Sequence, residues 1–139
     1  MSISKRVLPL FLSAFLGVQL ISCSAAKEII SIDEISQTNL LSQLETKKTP
    51  LILDVRTPSE YADGHIPGAI NIDFKQLKAR VNEIKQDQDL TIVVYCETGI
   101  RAKVAEVTLA QAGFTSILHL EGHMSAWRSN DLPIAKSNS

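Results

Sequence analysis

Aromatic residues are scarce in this 139-residue chain: one Trp, two Tyr and four Phe make up 5% of it. Any core must therefore be built mainly from Ile, Leu, Val and Ala. Cysteine is scarcer still. Two residues are too few for a disulfide scaffold. Positive charge is not in excess either: 14 Lys and Arg stand against 15 Asp and Glu, a net charge of −1. No basic patch is there to neutralise phosphates, so a nucleic-acid partner is not expected. Internal repeats and low-complexity segments are absent. What remains is ordinary globular composition, 45% hydrophobic and 21% charged. It suffices for one modest core and excludes a multidomain enzyme, a rod or a disordered chain.

The first 22 residues differ from the rest. Lys5 and Arg6 precede the 15 uncharged residues Val7–Ile21. As a helix that run spans roughly 22 Å, short of the ~30 Å hydrocarbon layer. Basic start, apolar middle and small residues after it read as a secretory signal, with an uncleaved membrane anchor as the alternative. Leu20-Ile21-Ser22-Cys23 resembles the bacterial lipobox, which implies cleavage before Cys23 and lipidation of its sulfur and amine. Several acyl chains suit stable anchoring. The competing reading is ordinary cleavage near Ser24-Ala25-Ala26 and a soluble exported protein. Losing residues 1–22 leaves 117 residues and a net charge of 12 − 15 = −3. The expected division is a signal peptide at 1–22, a tether at 23–28, a domain at 29–134 and a tail at 135–139. Either route leaves one thiol in the domain, Cys96, in an exported, disulfide-permissive setting.

Along the domain, Glu28–Ser31 reads as a short edge strand and Asp33 as the cap of a turn. A helix follows from Thr38 or Asn39 to about Glu45. Leu51–Val55 (LILDV) and Thr91–Tyr95 (TIVVY) are continuous apolar runs, the mark of buried parallel strands. Between them, Thr57-Pro58-Ser59-Glu60 has capping-box spacing with Pro at the first helical position. Ile70–Ile72 is a short strand. Asp73 caps a helix over Phe74–Ile84, where Leu77, Val81 and Ile84 repeat at helical spacing. Ile100–Ala112 is a long helix stopped by Gly113. Ser116–Leu120 is a further strand and Met124–Ser129 a last helix. Alternating strands and helices predict an α/β sandwich with a mostly parallel central sheet.

In such sheets, sites form beyond the carboxyl ends of the strands. Cys96 stands there, between the strand TIVVY and the helix at Ile100, followed by Glu97-Thr98-Gly99-Ile100-Arg101. Gly99 permits a special backbone angle, so the loop can curl its amides into a cup under the thiol. The helix N-terminus and Arg101 add positive charge, and together these features favour thiolate over thiol. A lone Cys is otherwise most often a small core residue.

Four stretches then resemble the rhodanese-like domain family. They are Asp54–Tyr61 (DVRTPSEY), Gly64–Asn71 (GHIPGAIN), the loop Cys96–Arg101, and Gly113-Phe114 with Leu120-Glu121-Gly122 and Ala126-Trp127. The resemblance covers nearly everything from residue 28 to 134. It implies the rhodanese fold, a central mostly parallel five-stranded sheet flanked by helices on both faces. It also implies a sulfurtransferase that works through a cysteine persulfide. By position, Cys96 would be the nucleophile. The amides of Glu97, Thr98, Gly99, Ile100 and Arg101 would bind the outer sulfur and the anionic donor. The Arg101 side chain would hold loop and anion. Asp54 and Arg56 match framework positions, with Arg56 expected to pair with a carboxylate such as Glu60. Four residues separate Cys96 from Arg101. Phosphatases and arsenate reductases of related fold have five, so the tighter cup suits a single sulfur atom.

The expected partners are a small anionic sulfur donor such as thiosulfate, a thiol or cyanide acceptor, and a membrane through Cys23. A monomer without cofactor or metal is expected. Two departures stand out. Glu97 replaces a basic or neutral residue and would repel a dianionic donor if it faced the mouth. His123 replaces a usual glycine, either perturbing the loop or lying exposed. His65 reads as a structural hydrogen-bonding residue, Trp127 as packing, and Lys75, Lys78 and Arg80 as a solvated helix face. No carboxylate or Cys joins His119 and His123 at metal-ligand spacing. A non-turnover sulfur carrier remains the second hypothesis. An envelope redox protein is a third, disfavoured by the lack of a Cys-x-x-Cys pair.

Overall fold

The computed structural model describes residues 32–46, 49–84 and 90–137. The leader, Cys23, the tether and the strand expected at Glu28–Ser31 lie outside them. Five strands, β1 (Asp33–Ile35), β2 (Leu51–Asp54), β3 (Ile70–Asn71), β4 (Ile92–Tyr95) and β5 (Ile117–Leu120), form one sheet in the order β1-β5-β4-β2-β3. Every pairing is parallel. The helices are α1 (Gln37–Glu45), α2 (Pro58–Asp63), α3 (Phe74–Arg80), α4 (Ile100–Gln111) and α5 (His123–Ser129).

The apolar runs are continuous because both faces of the sheet are covered. Leu53 and Val94 point toward α3 and α4, where Leu77, Ala102, Ala105 and Leu109 complete one cluster. Ile52, Val93 and Tyr95 point the other way, onto Leu40 of α1 and Met124 and Trp127 of α5. Two core layers thus sandwich the sheet, and Cys96 belongs to the α4 side.

Local signals set most boundaries. The Thr57 hydroxyl accepts from the Glu60 amide, and the Glu60 carboxylate accepts from the Thr57 amide, closing the capping box with Pro58 in the first turn. Asp73 caps α3 through the Lys75 amide. Three expectations are corrected. Asp33 caps no turn; it opens β1, which pairs with β5 and buries Ile35. The cap of α1 is Ser36, whose hydroxyl accepts from the Asn39 amide, so the helix begins earlier than Thr38. The stretch Phe74–Ile84 is not one helix: α3 ends at Arg80 and a 3-10 turn covers Val81–Glu83. That tighter winding still buries Val81 and Ile84. Ala135, in the expected tail, exchanges main-chain hydrogen bonds with His65. Among the described residues no helix is long and apolar enough to cross a membrane.

Candidate active site

The last residue of β4 delivers the chain to Cys96 at the carboxyl edge of the sheet, and four residues later α4 has begun. The carbonyls of Cys96 and Glu97 accept from the amides of Met124 and Ser125, in the first turn of α5. Across the same trans peptide planes the amides of Glu97 and Thr98 point away from α5. Gly99 takes a φ of 110°, a conformation that favours glycine, and its N–H donates to Cys96 Sγ at 3.1 Å. The first N–H groups of α4, on Ile100 and Arg101, have no acceptor within their own helix. The residue Cys96 is only 1% exposed, as a core cysteine would be. The amide aimed at its sulfur, at the positive end of a 12-residue helix, sets it apart.

The charged residues around the loop pair in a pattern that sequence spacing did not reveal. Arg101 makes a two-pronged bond to Glu60, at 2.7 and 2.8 Å. That contact, more than any other, draws the Glu60 carboxyl down to about 2, although burial opposes it. Arg101 is raised in turn, chiefly by Glu60 and in smaller measure by Cys96 beside it. The expected Arg56–Glu60 pair is therefore corrected. Arg56 and Asp54 are both wholly buried and meet at 2.6 Å. Arg56 also donates to the Gly64 carbonyl at 2.7 Å and reaches Glu97 at 3.4 Å. Burial works against the Arg56 charge, but Asp54 outweighs it and the guanidinium is raised.

Glu97 does not stand free at the mouth. Arg128 grips its carboxylate at 2.6 Å and Arg56 approaches from the other side. Three guanidiniums (Arg56, Arg101, Arg128) thus face three carboxylates (Asp54, Glu60, Glu97), and their formal charges cancel. The attraction for an anion in the cup then falls to the main-chain dipoles. Thr98 and Ile100 are exposed beside it, Ile100 at 77%.

This Cys-x4-Arg loop on an all-parallel sheet is what the sequence motifs implied, and a rhodanese-like domain model matches residues 36–130. The chain belongs to the rhodanese-like domain family. A sulfurtransferase of Allochromatium vinosum is 36% identical over 103 residues, 74% of this chain and 94% of that protein. Thiosulfate sulfurtransferase 16 of Arabidopsis thaliana is 37% identical over 91 residues, 58% of this chain and 76% of the plant protein. The solution structure of a rhodanese-like domain from Anabaena sp. superposes with a TM-score of 0.68 at 30% identity, covering 77% of this chain and 81% of that one. For several other bacterial relatives the match spans only between 51% and 59% of their length.

Within this rhodanese-like domain, the bland readings of His65 and Trp127 hold. His65 Nδ1 bonds the Tyr61 carbonyl and its ring stacks on Tyr61. Trp127 is buried and donates to the Pro133 carbonyl. His123 is not exposed: it is 3% accessible and its Nδ1 accepts from the Cys96 amide. A carboxylate does join the histidines, Glu106, on a different element. Among the described residues no group of three His, Cys, Asp or Glu is placed to hold a metal ion. Sequence reasoning also missed Arg128 and Gln37. Gln37 Nε2 donates to the carbonyls of Glu121 and His123 and so holds the turn into α5. The available signal for Glu106 was its place among Ala102, Ala105 and Leu109 on the buried stripe of α4, where an acid needs a partner.

Proposed function

We propose that this rhodanese-like protein moves sulfane sulfur through a persulfide on Cys96. The observation that carries the reading is the Gly99 N–H aimed at Cys96 Sγ at 3.1 Å from a four-residue loop ahead of Arg101. In the first step the Cys96 thiolate attacks the outer sulfur of thiosulfate. A new S–S bond forms, the donor's S–S bond breaks, and sulfite leaves with the bonding pair. The negative charge then sits on the outer sulfur, where the loop amides and the α4 N-terminus stabilise it without reorganising. In the second step cyanide, or a thiol, attacks that sulfur and the Cys96 thiolate is regenerated. Ping-pong kinetics follow from the covalent intermediate.

Two features favour a slender anionic donor. The sulfur is nearly enclosed, so a single sulfur atom is the group that fits. Glu97 is neutralised by Arg128 and Arg56, which offsets the repulsion a bare carboxylate would exert on a dianion. We further propose export and lipid anchoring at Cys23, on the leader's pattern alone. The test is thiocyanate formation from thiosulfate and cyanide by the protein and by Cys96→Ala. Turnover that vanishes in the variant supports the enzyme. A stoichiometric sulfur load on Cys96 without turnover makes the protein a carrier. Equal activity in both overturns the assignment of Cys96.

A further inference from the structure

Three polar side chains behind the loop have no part in that cycle. Glu106 and His123 are 4% and 3% exposed, and the His119 side chain 13%. They come from α4, α5 and β5 and meet end to end. Glu106 Oε1 lies 2.5 Å from His119 Nδ1. His119 Nε2 lies 2.8 Å from His123 Nε2. His123 Nδ1 accepts the main-chain N–H of Cys96 at 3.3 Å.

The two ends fix every proton between them. A backbone amide only donates, so His123 Nδ1 is the acceptor and the ring proton sits on Nε2. That N–H donates to His119 Nε2, which leaves the His119 proton on Nδ1, facing the Glu106 carboxylate. Burial above all holds His123 down to about 4, so its ring is neutral at physiological pH. The same imidazole backs the loop: a Cβ on Gly99 would stand 2.8 Å from His123 Nε2. His123 itself holds a φ of 52°, a backbone cost that a glycine there would avoid.

We propose that Glu106, His119 and His123 are positioning residues for sulfur transfer, a hydrogen-bonded line that grips Cys96 by its amide and backs Gly99, the donor to its sulfur. The line carries orientation and polarity, not protons, because the amide at its end does not release one. Its functional part rests on the persulfide reading; its geometry does not.

The two are tested separately. Long-range 1H–15N spectra of the full chain near neutral pH report imidazole tautomers without any sulfur transfer. The expected result is His123 protonated on Nε2 and His119 on Nδ1, with coupling across the Cys96 N–H···Nδ1 bond. The opposite tautomers overturn the proposal. Persulfide formation is then compared in His123→Gly and His123→Asn. Asn offers Oδ1 near the place of Nδ1 and tolerates a left-handed backbone. Loss of the acceptor in His123→Gly slows the reaction about tenfold, and His123→Asn regains most of it. Asn as slow as Gly at equal thermal stability, or Gly as fast as the wild type, overturns it. Should His123→Gly not fold, Glu106→Leu takes its place: mixed His119 tautomers and a loss of about threefold are expected, and neither changing is the contrary result. If the wild type takes sulfur from no donor, the rate of iodoacetamide alkylation at the Cys96 peptide replaces persulfide formation, with the same ordering of variants expected.

Discussion

Replacing Asp54 by Ala removes the main partner of a buried cation. In the native structure Arg56 Nε and Nη2 both donate to the Asp54 carboxylate, at 3.0 and 2.6 Å, and the Arg56 amide donates to it at 2.9 Å. Both side chains are 0% exposed. The variant leaves the guanidinium with the Gly64 carbonyl at 2.7 Å and Glu97 at 3.4 Å as its remaining polar partners. Breaking one side of a buried pair costs about 3–5 kcal/mol, against a total of about 5–15 kcal/mol for a small domain. With a urea slope of about 1.5 kcal/mol per M, a loss of 3 kcal/mol lowers the unfolding midpoint by about 2 M at unchanged slope. Urea titration followed by circular dichroism measures this. The double variant Asp54→Ala/Arg56→Met removes the stranded charge and is expected to lose at least about 2 kcal/mol less than the sum of the singles. A loss below about 1 kcal/mol in Asp54→Ala, or additive singles, would refute the reasoning.

Three further outcomes are expected. Glu60 has a folded value near 2 against 4.5 without its partners. Its stabilising contribution is therefore complete above pH 4.5 and fades as pH falls toward 2; Glu60→Gln should flatten that acid limb in thermal melts taken across the range. Gly99→Ala meets both a φ of 110° and the His123 ring at 2.8 Å. It should lose about 1–3 kcal/mol of stability and nearly all thiocyanate formation, read by melting and turnover together. Glu97→Gln frees Arg128 and Arg56 of a counter-charge, so the KM for thiosulfate should fall about threefold at low salt and the gain should shrink as salt is added.

The parts of this fold written in local pattern were legible in the chain. The runs LILDV and TIVVY announced strands covered on both faces, and Thr57, Pro58 and Glu60 announced the start of α2. The Cys96–Arg101 spacing announced the loop between β4 and α4 on which the candidate site is built. The three residues of β1 were not legible, because Asp33 and Glu34 are exposed and only Ile35 is buried. Its identity comes from pairing with β5, more than eighty residues on. The same reason hid the ion pairs. Arg101 and Glu60, like Arg56 and Glu97, are 41 residues apart, and only the closing of the sheet chooses between Glu60 and Asp54 as the partner of Arg56. The Glu106–His119–His123 line joins three elements, none of which signals the others.

Peptide mass spectrometry of the full chain after brief exposure to thiosulfate, and again after cyanide, tests the sulfur-carrying role of Cys96 most directly. One added sulfur atom on the Cys96 peptide, removed by cyanide with an equal amount of thiocyanate released, is the predicted result. A Cys96 peptide that never gains sulfur, or a gain found only on Cys23, would contradict it.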